Sequence, residues 1–400
     1  MNIENLKQFY EVMLRTRKIR ASVVNDLLEN HEVSFQTSGL LRETLDSLTA
    51  IPQKDGQFCL PLDDKKDIHL DLSYEINELE KDIFFLEHGE EEFMKYLDNL
   101  HGNFEEQVNK GVEMLSSIHF KNFITDRDGT VNNYCGRYAS SIQSIYNALF
   151  LTRFANNCVE NAIILTSAPL DNIGLADMST APENTFIYAG SKGREYFDKE
   201  GKRCQFPIEK EKEEKLKILN DKLKELLAQP GYQMFSLIGS GLQYKFGQTT
   251  IAHQDITHTI PEEESETFLN LIKNLVKGID PENKFFRIED TGLDIEIILT
   301  IDADDAENAA KDFDKGDGIL FIDEDLNLDL AKGPNLICGD TNSDIPMILA
   351  SMKKTTNTYP VFVTKDEALR HKIIEISPNA FIVSEPDVLV AILNSLGHRT

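Results

Sequence analysis

The chain has 400 residues, enough for two or three domains with buried cores of their own. Hydrophobic residues make up 41 % and aromatics 8 %, with no Trp, an ordinary composition for a soluble protein. Lys and Arg number 41 against 68 Asp and Glu, and the net charge of −27 argues against nucleic-acid phosphates or an anionic membrane as main partner.

From the start to about Ile118 the pattern is helical, with Leu6, Phe9, Tyr10 and Met13, then Val24, Leu27 and Leu28, recurring at three-and-four spacing. A second helix is expected around Leu41, Leu45 and Leu48; Ile51-Pro52 stops it and a polar stretch containing Pro61 comes next. Ile76, Leu79, Ile83 and Leu86 repeat with Glu and Lys between them, so this helix should pack lengthwise on a neighbour. Residues 1–118 therefore read as an N-terminal all-α helical bundle without a concentrated chemical motif, a structural or associating module. The opening Met1-Asn2-Ile3-Glu4 begins an amphipathic pattern, and no apolar run of about 18 residues occurs. The expectation is a cytoplasmic protein that does not engage the membrane. The five cysteines, at 59, 135, 158, 204 and 338, include no Cys-x-x-Cys pair and suggest neither a disulfide framework nor a zinc site.

From Asn122 the texture changes. Apolar runs at Phe123–Thr125, Ala162–Leu165, Phe186–Ala189, Leu336–Cys338, Val361–Val363 and Phe381–Val383 alternate with helical stretches, which reads as a parallel sheet covered on both faces. Ligands of such sheets bind beyond the carboxyl ends of the strands. The first run ends there in Thr125-Asp126-Arg127-Asp128-Gly129-Thr130. Residues two apart on a strand point to one side, so Asp126 and Asp128 would face one pocket, and Gly129 permits a sharp turn. Paired carboxylates suit an oxygen-seeking ion such as Mg²⁺, or a nucleophile with an acid/base partner, and both can hold together. Asp, Gly and Thr are also ordinary turn residues, so a catalytic role for this motif gains weight only from matching clusters further along the chain.

Ile163-Ile164-Leu165-Thr166-Ser167 ends another strand in hydroxyls, and Thr166 could donate to a phosphate. Between Gly190 and about Lys315 lies an insertion. A charged helix from Ile208 to Gln229 precedes strand-like runs at Met234–Ile238, Tyr244–His253, Phe285–Ile288 and Asp294–Thr300, with a helix near Phe268–Val276. Such an α/β insertion would form a lid over the active end of the sheet. Lys245 and His253 on one strand, and Glu296 on another, could face a sugar phosphate; charged residues on a solvated sheet face explain the spacing equally well. Lys315 precedes an expected helix start, where charge and N–H dipoles favour an anion, with Lys332 the rival. Finally, Leu336-Ile337-Cys338-Gly339-Asp340 places Asp340 where it could complete a Mg²⁺ shell, and Asp344, one turn on, could hold a metal water or orient a neighbour. Helix capping is the ordinary alternative.

Asp-x-Asp-Gly-Thr, a strand ending in Thr, Lys-Gly and Gly-Asp-x-x-x-Asp, in that order, resemble motifs I to IV of the haloacid dehalogenase-like (HAD) phosphohydrolases. The insertion, with Lys245, His253 and Glu296, resembles the type C2 cap of trehalose-6-phosphate phosphatases. The run Thr125 to Tyr138 and the preceding helices look most like the nematode branch of that family. The resemblance implies a Rossmann-like HAD core of residues 119–192 and 315–400, with an inserted α/β cap of 193–314 hinged near Gly190-Ser191 and Lys315-Gly316. It implies Mg²⁺-dependent hydrolysis of trehalose 6-phosphate. Asp126 would attack phosphorus, Asp128 would act as acid and base, and Thr166 and Lys315 would hold the phosphoryl oxygens. Asp126, the carbonyl of Asp128, Asp340 and Asp344 would serve the metal, and Lys245, His253 and Glu296 the sugar. The helical domain of that branch is likened to microtubule-interacting and trafficking modules, which implies self- or protein association. This chain departs from commoner members at Arg127, at Thr166-Ser167-Ala168, where Ser167 rivals Thr166, and at His253-Gln254-Asp255. Another HAD sugar phosphatase, acting on sucrose phosphate or a glycosyl phosphoglycerate, and a non-catalytic sugar-phosphate binder are the other readings.

Overall fold

In the computed structural model, residues 2–54, 56–61, 67–301 and 311–398 are described; part of the expected cap, 302–310, lies outside them. The N-terminal region consists of α1 (Leu6–Leu28), α2 (Phe35–Thr49), β1 (Gln53–Lys54), β2 (Gln57–Pro61), β3 (Asp67–Leu70), α3 (Ser73–Leu100) and α4 (Phe104–Leu115). Asn5 starts α1 by accepting the backbone N–H of Gln8 at 3.0 Å. Gly89 interrupts α3 with φ 78°, a conformation glycine adopts without the penalty other residues incur. The expected all-α region thus contains a small antiparallel sheet in the order β1-β2-β3. Its signal is short: Leu60, Ile68 and Leu70 turn inward, but the intervening polar residues mask the alternation that marks a strand.

The central sheet is built from β4 (Phe120–Thr125), α5 (Ile145–Asn157), β5 (Val159–Leu165), α6 (Leu175–Met178), β6 (Ile187–Gly190), β7 (Glu195–Phe197) and β8 (Arg203–Gln205). The inserted region adds α7 (Lys210–Leu227), β9 (Leu242–Lys245), β10 (Gln248–Ala252), α8 (Glu262–Ile279), β11 (Phe286–Asp290), β12 (Asp294–Ile301) and β13 (Lys311–Asp312). The chain then returns to the sheet through α9 (Lys315–Leu326), β14 (Asn335–Gly339), α10 (Ile345–Lys354), β15 (Thr358–Val363), α11 (Glu367–Ile376), β16 (Phe381–Val383) and α12 (Pro386–Gly397). The sheet order is β16-β15-β14-β4-β5-β6-β7-β8, parallel from β16 to β6. β7 and β8 pair antiparallel at its edge, so residues 195–205 stay with this sheet, although the resemblance starts the cap at 193. Backbone pairing continues there because Ser191, Lys192 and Gly193, all at positive φ, turn the chain back on β6.

Consecutive residues of the central strands feed two different cores, as a sheet covered on both faces requires. Ile124, Ile163 and Ile337, in register, pack with Ile319 and Ile322 of α9 and Ile348 of α10. Phe123, Ala162 and Leu336 face α5 and α12, and the Phe123 and Phe154 rings meet edge-on at 5.2 Å. The N-terminal helices join this second core: the Phe93 ring lies 4.8 Å from Tyr146 and 6.4 Å from Phe150 on α5.

The inserted sheet runs β11-β12-β10-β9, all antiparallel, with β13 on β12. Two expectations change here. Met234–Ile238 contains a single 3-10 turn over Gln233–Ser236, in which Phe235 stacks on Phe268 at 3.7 Å; a short buried apolar run fits either geometry. Tyr244–His253 is a hairpin of β9 and β10, turned by Gly247 at φ 77°. A Cβ on Gly247 would sit 2.2 Å from the Arg194 guanidinium, so the turn is bound to glycine twice over. No described helix is long and apolar enough to cross a membrane.

Glu75 on α3 is fully buried, with one oxygen 3.8 Å from Cys135 Sγ and the other without a hydrogen-bond partner among the described residues. Burial raises its pKa from 4.5 to about 7. A carboxyl whose folded pKa lies above its unfolded value stabilises the fold fully below the unfolded value and loses that contribution as pH rises through the folded one. Glu75→Gln should therefore unfold later in denaturant than the unchanged chain at pH 8, by up to about 3 kcal/mol, with the difference shrinking towards pH 4.5.

Candidate active site

Parallel strands deliver their carboxyl ends to one edge of the sheet, and the chemical groups collect there. Asp126 follows β4, Thr166 follows β5 and Asp340 follows β14. Asp126 N–H donates to the Cys338 carbonyl at 3.0 Å, so the two central strands are still paired where the carboxylates begin. Lys315, the first residue of α9, is buried, and its ammonium lies 2.5 Å from both Asp126 Oδ1 and Asp344 Oδ1. Asp314 caps that helix by accepting the Asp317 N–H at 3.0 Å. Lys332, the rival, is exposed and pairs with Asp329 at 2.7 Å.

Thr130 Oγ bridges the acidic strand ends, donating towards Asp126 Oδ2 at 3.3 Å and Asp340 Oδ1 at 3.1 Å. Asp344 Oδ2 accepts the N–H groups of Asp340 and Thr341 at 3.1 and 2.9 Å, which holds the loop after β14. Gly129 has φ 85°, and a Cβ there would lie 2.2 Å from Asp340 Oδ2; the glycine lets the two acidic loops touch. Asp128 Oδ1 accepts from Ser141 Oγ at 3.1 Å, from Asn132 Nδ2 at 3.4 Å and from the Arg127 guanidinium.

The electrostatics follow from burial and crowding. Burial raises Asp126 to about 7 against the pull of Lys315, and burial with the neighbouring Asp126 and Asp344 charges raises Asp340 to about 8. Burial also opposes ionisation of Asp344, but Lys315 and the N–H donors outweigh it and keep its pKa below the usual range. Ligand atoms of Asp126, Asp340 and Asp344 all lie within 4.8 Å of one another. Crowded hard oxygens with carboxyls driven towards protonation fit a divalent cation.

A cavity of about 290 Å³ opens over this cluster, lined from below by Asp126, Asp128, Thr166, Ser167, Lys315 and Asp340, and from above by Lys245, Thr250, Asp294 and Glu296. Both candidate hydroxyls, Thr166 and Ser167, reach it. Glu296 stands between two lysines, 3.8 Å from Lys245 Nζ and 3.4 Å from Lys192 Nζ. Burial disfavours its charge, and the two ammoniums together reverse this and lower its pKa; burial lowers Lys245 in turn. His253 is not brought to the cavity wall. It sits past β10 with Nδ1 2.8 Å from Ser265 Oγ and Nε2 3.1 Å from Asp290 Oδ1. The hairpin turn at Gly247 leaves Lys245 at the end of β9 and His253 beyond the far end of β10, which separates two residues expected to share one strand. Lys192 and Ser141 carry no motif that singles them out in the sequence, and Asn132 is marked there only by its place in the run Thr125 to Tyr138, without a role.

The doubly covered parallel sheet, the acidic strand ends and the inserted antiparallel cap define a HAD-like phosphohydrolase fold. The family description "Trehalose-6-phosphate phosphatase, C-terminal" matches residues 123–389, and that of the family's N-terminal helical bundle domain matches residues 5–103. The chain belongs to the trehalose-6-phosphate phosphatase family. It is 31 % identical to alpha,alpha-trehalose-phosphate synthase [UDP-forming] 2 of Caenorhabditis elegans over 97 % of this chain and 33 % of that protein. It therefore spans about a third of the length of such relatives. It is 26 % identical to the trehalose-phosphatase of Caenorhabditis briggsae over 96 % of this chain and 95 % of that one. Among solved structures, the C-terminal domain of C. albicans trehalose-6-phosphate phosphatase superposes over 73 % of this chain and 96 % of that chain, with a TM-score of 0.47 and 13 % identity.

The contact at Gly129 is the tightest constraint on the acidic cluster. Gly129→Ala should displace Asp340 and weaken divalent-cation binding at least about tenfold, roughly 1.4 kcal/mol, as measured by titration calorimetry, with helix content by circular dichroism retained.

Proposed function

We propose that this chain hydrolyses trehalose 6-phosphate to trehalose and phosphate through an aspartyl-phosphate on Asp126. The observation that carries the reading is the meeting, in one cavity, of Asp126 with Lys315 and Asp340 below and the Lys245–Glu296 pair of the cap above. Asp126 attacks phosphorus while the bond from phosphorus to the sugar oxygen breaks, and Asp128 gives that oxygen its proton. Asp128 then takes a proton from water as the water oxygen attacks phosphorus, and the bond to Asp126 breaks to release phosphate. Lys315 and the Thr166 hydroxyl, with Ser167 beside it, hold phosphoryl oxygens. Asp126, the Asp128 carbonyl and Asp340 would hold Mg²⁺, with Asp344 orienting Lys315 and the Asp340 loop; the ion would offset negative charge at the phosphoryl group. Lys245 and Glu296 bind sugar hydroxyls, joined by Lys192, while His253 supports the cap strand from behind.

The test is phosphate release from a panel of sugar phosphates with Mg²⁺. Trehalose 6-phosphate should be the preferred substrate, EDTA should abolish turnover, and Asp126→Asn should lower it by at least about 10³-fold. Release from other sugar phosphates but not from trehalose 6-phosphate would overturn the substrate, and undiminished turnover by Asp126→Asn would overturn the nucleophile.

A further inference from the structure

Asp128 is gripped by one oxygen. Ser141, Asn132 and Arg127 all donate to Oδ1, and none of the hydrogen bonds among the described residues reaches Oδ2, which leaves that oxygen for chemistry in the cavity. The loop that supplies Ser141 and Asn132 is itself tied to the N-terminal helices. Tyr74, in the first turn of α3 and buried, places its hydroxyl 3.0 Å from Asn132 Oδ1 and 2.9 Å from the Ile142 carbonyl. The Asn132 NH₂ donates to the Asn133 carbonyl at 2.9 Å and to Asp128, both acceptors only, so the amide oxygen is the atom that meets Tyr74. The same carbonyl accepts from Arg20 Nη1 of α1 at 2.9 Å, and Arg20 Nε pairs with Asp82 of α3 at 2.6 Å. The next residue, Asn133, donates to Glu78 Oε1 of α3 at 3.0 Å and to Asp387 Oδ1 at 2.9 Å.

We propose that Tyr74 is a positioning residue for Asp128, acting through Asn132 and the Ile142 carbonyl, so that the N-terminal helices are part of the catalytic unit. The inference rests on the phosphatase reading above. Its physical basis is that a general acid works only when its proton lies within hydrogen-bond reach of the leaving oxygen, and a buried loop holds such a geometry only while its own polar groups are paired. A sugar alkoxide leaves poorly without that proton, whereas p-nitrophenolate leaves without help, so a displaced Asp128 penalises the two substrates unequally.

The experiment uses the full chain with Mg²⁺ and compares first-turnover release of trehalose from trehalose 6-phosphate with that of p-nitrophenol from p-nitrophenyl phosphate, under enzyme excess. Tyr74→Phe keeps the ring and removes the hydroxyl. Trehalose release should fall about tenfold with half-saturation unchanged, and p-nitrophenol release less than about twofold, a selective loss of roughly 1 kcal/mol. Asn132→Ala should show the same selectivity and keeps the test open if Tyr74→Phe fails to fold, as judged by its thermal midpoint. Equal losses on the two substrates, or none, would overturn the positioning role. If the unchanged chain releases no trehalose, the substrate reading fails instead, and the comparison is made with whichever sugar phosphate of the panel is hydrolysed.

Discussion

Lys315 stands between Asp126 and Asp344, and the surrounding acidic groups keep their places because it does. Two like charges about 4 Å apart repel by roughly 4 kcal/mol at the effective dielectric of a protein site, and three carboxyls meet here within that kind of distance. The ammonium cancels much of this, and the N-terminus of α9 adds its dipole at the same point. Everything that holds α9 against the sheet therefore also holds the charge balance. Ile319 and Ile322 seat the helix on Ile124 and Ile337, and Gly316 lets its first turn approach the Pro346 carbonyl where a Cβ would lie at 2.6 Å. The hydrophobic packing under the sheet and the electrostatics at its edge are one problem with one solution.

The cap is attached by a comparable device. Arg194 lies just before β7 and donates to the carbonyls of Gly247 and Leu299, 2.8 and 2.9 Å away in the cap sheet, while its guanidinium rests over Phe313. Lys192, two residues earlier, reaches Glu296. The crossing segment thus holds the cap sheet at both its turn and its cavity face.

Much of this architecture is legible in the sequence because it rests on short-range rules. The strand-then-carboxylate pattern at Asp126 and Asp340, the two cap helices and the later cap strand pair follow from periodicity and turn residues, whereas the first cap pair does not: Met234–Ile238 is no strand, and Tyr244–His253 spans both arms of a hairpin. What escapes such rules depends on partners far along the chain. The strands at 57–61 and 67–70 carry too few alternating residues to announce themselves. His253 looks like a companion of Lys245 until Gly247 turns the strand, and that turn is enforced by Arg194, more than fifty positions away. Lys192 gains its place from Glu296, a residue over a hundred positions downstream. Spacing cannot report such pairings.

The core that begins at Phe9 in α1 runs without a break through Phe93 and Phe150 to Leu389 in α12. Divisions drawn by sequence similarity separate a helical bundle from a catalytic region, yet no seam in the apolar interior corresponds to that division. A recombinant fragment cut at the junction would present to water the aromatic wall that the other half normally covers, and would behave as a sticky partial fold. For dissection, crystallisation or grafting onto another protein, the bundle and the sheet form a single cassette, and the apolar interior of the cap, with Leu219, Phe268 and Ile297, belongs to the same cluster.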